Sequence, residues 1–232
     1  MKAFRFYPLL IGVATALQAL TAPATVVTSV AYTTLDDAGA YNAFAGSNVG
    51  RPGYQGYGNA FASSISGLLA NIEVGINHVS TPELVDVQIS LDNGAGFPLA
   101  TSLASGTLTT AGFFGATSIA LATFTPSAPL YLTAGTGYWL LLTPHTSANF
   151  DVWNDNTIGA MGGIASTHDG VTWGAGPPQW QSAFRVNVVV VPEPSTLALG
   201  AAGIGILAIF RCRRLKCVLE RSRTRPRPLP CM

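Results

Sequence analysis

Histidine, serine and carboxylate side chains are the residue types from which this sequence could build a catalytic site. It contains three histidines, His78, His145 and His168, and nine acidic residues between positions 32 and 191. A Ser–His–Asp triad is defined by its geometry, and no G-x-S-x-G turn presents a nucleophilic serine here. The segment 168–170, His-Asp-Gly, is more typical of a turn. We therefore predict no catalytic residue, no enzyme activity and no cofactor.

The segment DVWNDN (151–156) raises the possibility of a calcium site. Asp151, Asn154, Asp155 and Asn156 supply oxygen atoms, which are the ligands that Ca²⁺ prefers. Their spacing differs from that of a D-x-[DN]-x-[DN]-G calcium loop, so an Asx-rich turn is the favoured interpretation. All three cysteines follow residue 210, and no Cys-x-x-Cys pair occurs. The sequence therefore predicts no metal site.

Four tryptophans suggest carbohydrate binding, because exposed aromatic faces can stack on sugar rings. Trp139 lies in the run YWLLL and Trp180 begins an alternating segment, so both are predicted to be core residues. Trp173 lies in GVTWGAGPPQW, a segment rich in glycine and proline that is typical of a loop. Trp173 is therefore the candidate for sugar stacking.

The elements that must position these side chains are β-strands. Apolar and polar residues alternate in LVDVQISL (84–91), NIEVGIN (71–77) and QWQSAFRVNVVVV (179–191), which is the pattern of half-buried strands. The segment 38–61, rich in Gly, Asn and Tyr, is predicted to be a long irregular segment. Further strand candidates are 26–34, 100–109, 117–124, 137–143 and 149–153.

These strands are separated by Gly, Pro and Asn turn signals, and no sustained helical period occurs between them. Eight or nine short strands of this kind indicate an all-β fold. We predict an antiparallel, jelly-roll-like β-sandwich, preceded by an N-terminal signal helix and followed by a C-terminal transmembrane helix.

The composition and the distribution of charge argue against general nucleic-acid binding and indicate contact with a membrane. Charged residues make up 10% of the chain, against about 25% in typical globular domains. The net charge of +1 argues against general nucleic-acid binding. This average conceals a charge of −7 over residues 32–191 and of +7 over residues 211–232. Such asymmetry is typical of a chain that meets a membrane near its C-terminus.

The N-terminus has the pattern of a secretory signal. Lys2 and Arg5 precede a largely apolar stretch from 7 to 20, and small residues follow. We predict a signal peptide over residues 1–24, although its end could be at residue 31. The exported body then comprises residues 25–191.

The C-terminal segment begins with Pro192, Glu193 and Pro194, which end the last strand. The 16 uncharged residues 195–210 would form a helix of about 24 Å, somewhat short for a hydrocarbon core of about 30 Å. A basic cluster follows and orients this predicted span with the body outside and residues 215–232 as a cytoplasmic tail. The basic cluster contains Arg211, Arg213 and Arg214.

The order VPEPST, apolar run, RCRR resembles the PEP-CTERM sorting signal of Gram-negative bacteria, over about 25 residues. The resemblance implies that Pro192, Glu193 and Pro194 form the recognition motif and that Arg211, Arg213 and Arg214 form the stop signal. It also implies processing by a membrane-embedded exosortase. The domain boundaries that follow are 192–214 for the sorting and anchor segment and 215–232 for the tail.

The body more loosely resembles the choice-of-anchor R type of extracellular β domain, over roughly residues 60–191. The stretches that carry this resemblance are DVQISLDNGAGFPLATSLASGTL (86–108), LYLTAGTGYWLLLTP (130–144) and FDVWND (150–155). Such domains have no established activity, so the resemblance implies a location and not a reaction.

Together these patterns predict an exported, non-enzymatic protein of the cell envelope or of the exopolysaccharide. Its expected partners are an exosortase-like enzyme, the bacterial membrane and extracellular polysaccharide, without nucleic acid. We expect the body to be periplasmic while it is anchored in the inner membrane, and then to be released to the cell surface or matrix. The alternative is a carbohydrate-binding module or a glycan-active enzyme that carries the same anchor.

Overall fold

A computed structural model of the 232-residue chain describes residues 26–50, 55–116, 120–176 and 178–190. These residues form strands, turns and bends without a helix. Among them, therefore, no helix has the length and apolar character that a membrane span requires. The predicted signal peptide (1–24) and the predicted transmembrane segment (195–210) lie outside the described residues.

Sixteen strands, most of them short, are found in the described part of the chain. They are β1 (Val27–Thr33), β2 (Tyr41–Gly50), β3 (Gly56–Ala62), β4 (Gly67–Val74), β5 (Ile76–Ser80), β6 (Leu84–Asp92), β7 (Pro98–Thr109), β8 (Ala122–Phe124), β9 (Tyr131–Leu132), β10 (Gly137–Pro144), β11 (Phe150–Asn156), β12 (Met161–Gly162), β13 (Ile164–Thr167), β14 (Gly174–Ala175), β15 (Gln179–Trp180) and β16 (Phe184–Val190).

The strands pair antiparallel in four sheets. The five-stranded sheet has the order β1-β16-β4-β8, with β9 also paired to β4. The six-stranded sheet has the order β14-β13-β3-β10-β6-β7. A three-stranded sheet, β2-β11-β5, and a two-stranded sheet, β12-β15, complete the body. The prediction of an all-β, antiparallel fold is confirmed.

One apolar core is shared by the two large sheets. The alternating residues of β6, such as Val87 and Ile89, are buried in it together with Ile72 of β4 and Val186 of β16. Because side chains alternate between the two faces of a strand, each of these strands places one face in this core. This arrangement is consistent with the predicted β-sandwich, whereas the jelly-roll-like strand order stays a prediction.

The segment 38–61 was predicted to be irregular, and this prediction was wrong. Its described residues form β2 and most of β3. The glycines lie in strands because other groups approach them closely. A Cβ on Gly46 would lie 2.3 Å from the carbonyl oxygen of Trp153, and one on Gly58 would lie 2.5 Å from Cδ2 of Leu141. At Gly46 the obstacle is main chain, which only glycine accommodates, whereas at Gly58 it is the end of the Leu141 side chain; neither glycine marks a loop.

Candidate functional site

The three histidines lie apart in the body, each in a different local structure. His145 Nδ1 lies 2.8 Å from Asp86 Oδ1, and both side chains are partly exposed. The turn predicted at residues 168–170 is confirmed, since the carboxylate of Asp169 accepts hydrogen bonds from the main-chain nitrogens of Val171 and Thr172. These bonds hold the pKa of Asp169 well below its usual range.

The Asx-rich turn predicted at 151–156 is not present. This segment belongs to β11, which pairs with β2 on one side and β5 on the other. Asp151, Asn154 and Asn156 are buried in the strand. Because β11 lies between two strands, its main-chain N–H and C=O groups have hydrogen-bond partners in the sheet. Its polar side chains therefore need not form the turn that their residue types favour.

The amide side chains of β5 and β11 form a buried hydrogen-bonded cluster. Asn154 Nδ2 donates to the carbonyl oxygen of Gly75 at 2.9 Å and to Asn77 Oδ1 at 2.6 Å. Asn77 Nδ2 donates in turn to the carbonyl oxygen of Ala111 at 2.8 Å. The hydroxyl group of Tyr41 lies 3.3 Å from Asn77 Oδ1 and 3.0 Å from the carbonyl oxygen of Ala120, and its single proton can be donated to either of them. Buried polar groups are tolerated when they are paired in this way.

Asp151 is a buried acid in this region whose charge is poorly compensated. Its Cα lies opposite that of His78 in the β5–β11 pair, and neither carboxylate oxygen has a hydrogen-bond partner among the described residues. Burial, opposed by the Asn149 side chain and reinforced by the charge of Glu83, raises the pKa of Asp151 to about 7. Both Asn149 amide hydrogens are directed to main-chain carbonyl groups, so Asn149 compensates little of the lost hydration.

His78 is also buried beside this carboxyl group. Its Nδ1 lies 3.3 Å from the hydroxyl oxygen of Thr110, and its Nε2 lies 3.3 Å from Oε1 of Glu83, which is half exposed. In the described part of the chain, no three His, Cys, Asp or Glu side chains are arranged to hold a metal ion.

The tryptophans divide into buried and exposed residues in a way that only partly follows the prediction. Trp139 is buried as predicted. Trp173, the predicted sugar-stacking residue, is partly buried against a small cluster formed by Trp139, Leu141 and Ala165. Trp180 is 60% exposed, so its prediction as a core residue was wrong. The segment 181–183 separates it from β16, and Trp180 lies instead in β15 beside β12.

An open groove of about 470 Å³ lies beside Trp180. This volume is within the range of about 300–1,000 Å³ typical of small-molecule sites. The groove is formed by the start of β2, the end of β11 with the residue after it, β15, and the segment after β7. Its lining residues are Tyr41, Asn42, Ala43, Phe44, Ala116, Asn156, Thr157 and Trp180.

The buried amide group of Asn156 joins two of the segments that form the groove. Asn156 Nδ2 donates to the carbonyl oxygens of Ala160 and Gln181, and its Oδ1 accepts from the main-chain nitrogen of Ala160. These bonds join the end of β11 to the residue that follows Trp180. On the opposite side, Asn42 Oδ1 accepts from the main-chain nitrogen of Phe44 at 3.1 Å.

Phe44 and Asn42 were missed because their segment was predicted to be irregular. The alternation in YNAF (41–44) could have revealed them. Tyr41 and Ala43 are buried, whereas Asn42 and Phe44 are exposed. A single exposed phenylalanine is ordinary, and Phe44 becomes a candidate only because a second exposed ring, Trp180, lines the same groove.

Comparison with known families identifies one segment of the chain. Residues 190–214 match the PEP-CTERM protein-sorting motif. The motif marks an exported protein that is anchored in a membrane through its C-terminal region and sorted by an exosortase-type pathway. The predicted sorting residues Pro192, Glu193 and Pro194 and the basic cluster fall inside the match and lie outside the described residues.

The body is not covered by this match, so its resemblance to the choice-of-anchor R domain stays a prediction. No curated protein shows significant similarity to the chain.

Proposed function

We propose that this chain is a non-enzymatic surface protein whose β-sandwich body is delivered outside the cell and then released from its membrane anchor. The observation that carries this proposal is the PEP-CTERM match at residues 190–214, which begins at the last residue of β16. The body therefore ends where the sorting segment begins, and a cut after the Pro-Glu-Pro motif would leave every described strand intact.

The distribution of charge supports the orientation in this proposal. Arg211, Arg213 and Arg214 follow the apolar run directly, and basic residues are retained on the cytoplasmic side of a membrane. The body carries an excess of acidic residues. We propose that residues 215–232 remain in the cytoplasm, beside anionic lipids, until the anchor is processed.

A binding role without catalysis is supported by the positions of the acids. Glu73 Oε2 lies 3.3 Å from Arg185 Nη1, and Asp86 is paired with His145. Asp151 is fully buried, whereas a glycosidase needs two carboxyl groups across a cleft that admits the substrate. These acids therefore have structural partners or are closed to a polymeric substrate.

The test is the intact mass of the protein recovered from membrane and extracellular fractions of its native host. We expect an extracellular species that lacks the predicted signal peptide and everything after about residue 194. A species found only in membranes that retains residues 195–232 would show a permanent anchor and contradict release.

Matched variants connect this result to the motif. Glu193→Ala should abolish the extracellular species and leave the full C-terminal segment in the membrane fraction. Lys216→Ala removes a basic residue that lies just outside the matched segment and should be processed normally. Normal release of the Glu193→Ala protein would show that the motif is not used.

A carbohydrate-binding module with the same anchor is the second candidate function. One observation favours it, namely the open groove that has Phe44 and Trp180 among its lining residues.

A further inference from the structure

Two large aromatic rings are exposed in the groove. Phe44 is 69% exposed although its neighbours Ala43 and Ala45 in β2 are buried or partly buried, and Trp180 is 60% exposed in β15, whose other residue is exposed as well. Exposed aromatic side chains grouped in a concave surface are unusual in soluble domains and mark sites of interaction. Their flat faces offer large contact areas at a small cost in conformational entropy.

The groove also presents polar groups that can bind hydroxyl groups. Because Asn42 Oδ1 accepts from the main chain of Phe44, the amide nitrogen of Asn42 is available as a donor, and it has no protein partner among the described residues. The hydroxyl group of Thr157 donates to the carbonyl oxygen of Ala40 at 3.4 Å and retains its acceptor sites. The groove thus combines donors and acceptors with two aromatic faces.

The charge of the site selects among possible ligands. None of the eight lining residues is charged, and residues 32–191 carry a net charge of −7. An anionic polymer would be repelled by this body and would find no cation in the groove. An uncharged ligand with apolar faces and a rim of hydroxyl groups, such as a pyranose sugar, suits the groove.

We propose that this groove binds a neutral, pyranose-based glycan, with sugar rings stacked on Phe44 and Trp180 and sugar hydroxyl groups bonded to Asn42 and Thr157. The inference rests on the proposed function in one respect, since the body must be outside the cell to meet such a polymer. The groove is open to solvent, as a site for part of a longer polymer must be.

The test is affinity electrophoresis of the purified full chain in native gels that contain a polysaccharide. The probes are laminarin, galactomannan and the neutral extracellular polysaccharide of the host, with alginate as the anionic comparison. A zwitterionic detergent without a sugar head group is required, because maltosides would compete for the site. We expect retardation by at least one neutral glycan and none by alginate. Retardation by alginate alone, or by no probe, overturns the proposal.

Variants assign the binding to the groove. Trp180→Ala and Phe44→Ala should each weaken binding about tenfold or more, as expected for aromatic anchors of an interface. Trp180→Phe should retain most of the binding, because a ring remains. The matched control is Tyr131→Ala, which removes an equally exposed ring from β9 in the five-stranded sheet. Unchanged binding in the Trp180→Ala and Phe44→Ala proteins would overturn the assignment.

A measurement on the unmutated protein covers the case in which a variant does not fold. N-bromosuccinimide oxidises exposed indoles, and Trp180 is far more exposed than Trp139 or Trp153. Saturating neutral glycan should protect Trp180 from oxidation, as located by peptide mass spectrometry, and an absence of protection contradicts the proposal. Because this protein is purified, its binding is independent of sorting, and a failure of sorting would appear only in the masses of the cell fractions.

Discussion

The interior between the two large sheets and the interior around β5 and β11 differ in chemistry. The first, which we call the apolar core, contains aliphatic and aromatic side chains such as Phe184, Ile72 and Leu140. The second, which we call the polar end, contains the buried side chains of Asn77, Asn154 and Asp151 with those around them. Both are closed to solvent, but the polar end is built around hydrogen bonds made by buried side chains.

This difference shows how the body separates stability from recognition. Apolar packing is non-directional and scales with buried area, so the apolar core tolerates variation in detail. The polar end holds its strands by directional bonds, and Tyr41 belongs both to it and to the lining of the groove. Tyr41 thus connects the polar end to the lining of the groove.

The largest effect is expected from a cavity in the apolar core. Phe184 is fully buried and packs against the rings of Tyr32, Phe61 and Trp153. Phe184→Ala should lower the free energy of unfolding by about 3–5 kcal/mol, as measured by urea denaturation. The exposed control Tyr131→Ala should change it by less than about 0.5 kcal/mol. Similar losses in the two proteins would show that this core does not carry the stability.

The next largest effect is a dependence of the protein's stability on pH, which arises from Asp151 in the polar end. Because the pKa of Asp151 is raised from 3.8 to about 7 in the folded state, the folded protein retains a proton that the unfolded chain has lost. The stability contributed by the neutral carboxyl group is therefore complete below pH 3.8 and is lost as the pH rises to about 7.

Asp151→Asn removes the titratable carboxyl group and with it this loss of stability at higher pH. Measured by urea denaturation, the stability of the variant relative to the original protein should rise by about 3 kcal/mol between pH 4.5 and pH 7. Val152→Ala, a change at a neighbour without a titratable group, should give a difference that does not depend on pH. A pH-independent difference for Asp151→Asn would contradict the raised pKa.

A smaller loss is expected from the amide cluster. Asn154→Ala removes the side-chain donor to the carbonyl oxygen of Gly75 and to Oδ1 of Asn77, which keep the main-chain nitrogen of residue 154 and the hydroxyl group of Tyr41 as partners. The loss of these two buried hydrogen bonds should lower the free energy of unfolding by about 2 kcal/mol. The control Asn42→Ala, at an exposed position, should lower the free energy of unfolding much less. Equal effects at the two positions would show that the polar end does not depend on its buried hydrogen bonds.

The smallest effects distinguish Trp173, which precedes β14, from Trp180, which lies in β15. Trp173 packs against the cluster of Trp139, Leu141 and Ala165. Trp173→Ala should therefore lower the free energy of unfolding by about 1–2 kcal/mol. Trp180→Ala should stay within about 0.5 kcal/mol of the original protein, because its side chain is mostly exposed. Thermal unfolding checks both. The opposite ranking would transfer the ligand-binding candidate from Trp180 back to Trp173.

Much of the strand pattern could be predicted from periodicity. The inward positions of β6, β4 and β16 follow directly from alternation, since only one face of each strand is apolar. The alternating pattern gave a wrong prediction at Trp180, because β15 ends at this residue and β16 begins only at Phe184. It also failed in β2 and β3, where glycine and asparagine are used for close packing and for outward faces.

The sequence by itself determined the all-β class and the export and sorting signal, because strand alternation and a sorting motif are both properties of consecutive residues. Only the tertiary structure decided the environment of Asp151, the exposure of Trp180 and the existence of the groove. Each of these depends on segments far apart in the chain, since the groove joins residues 41–44 to residues 156, 157 and 180. No local pattern records which distant strand will lie beside a residue, and that neighbour determines its burial, its charge and its access to a ligand.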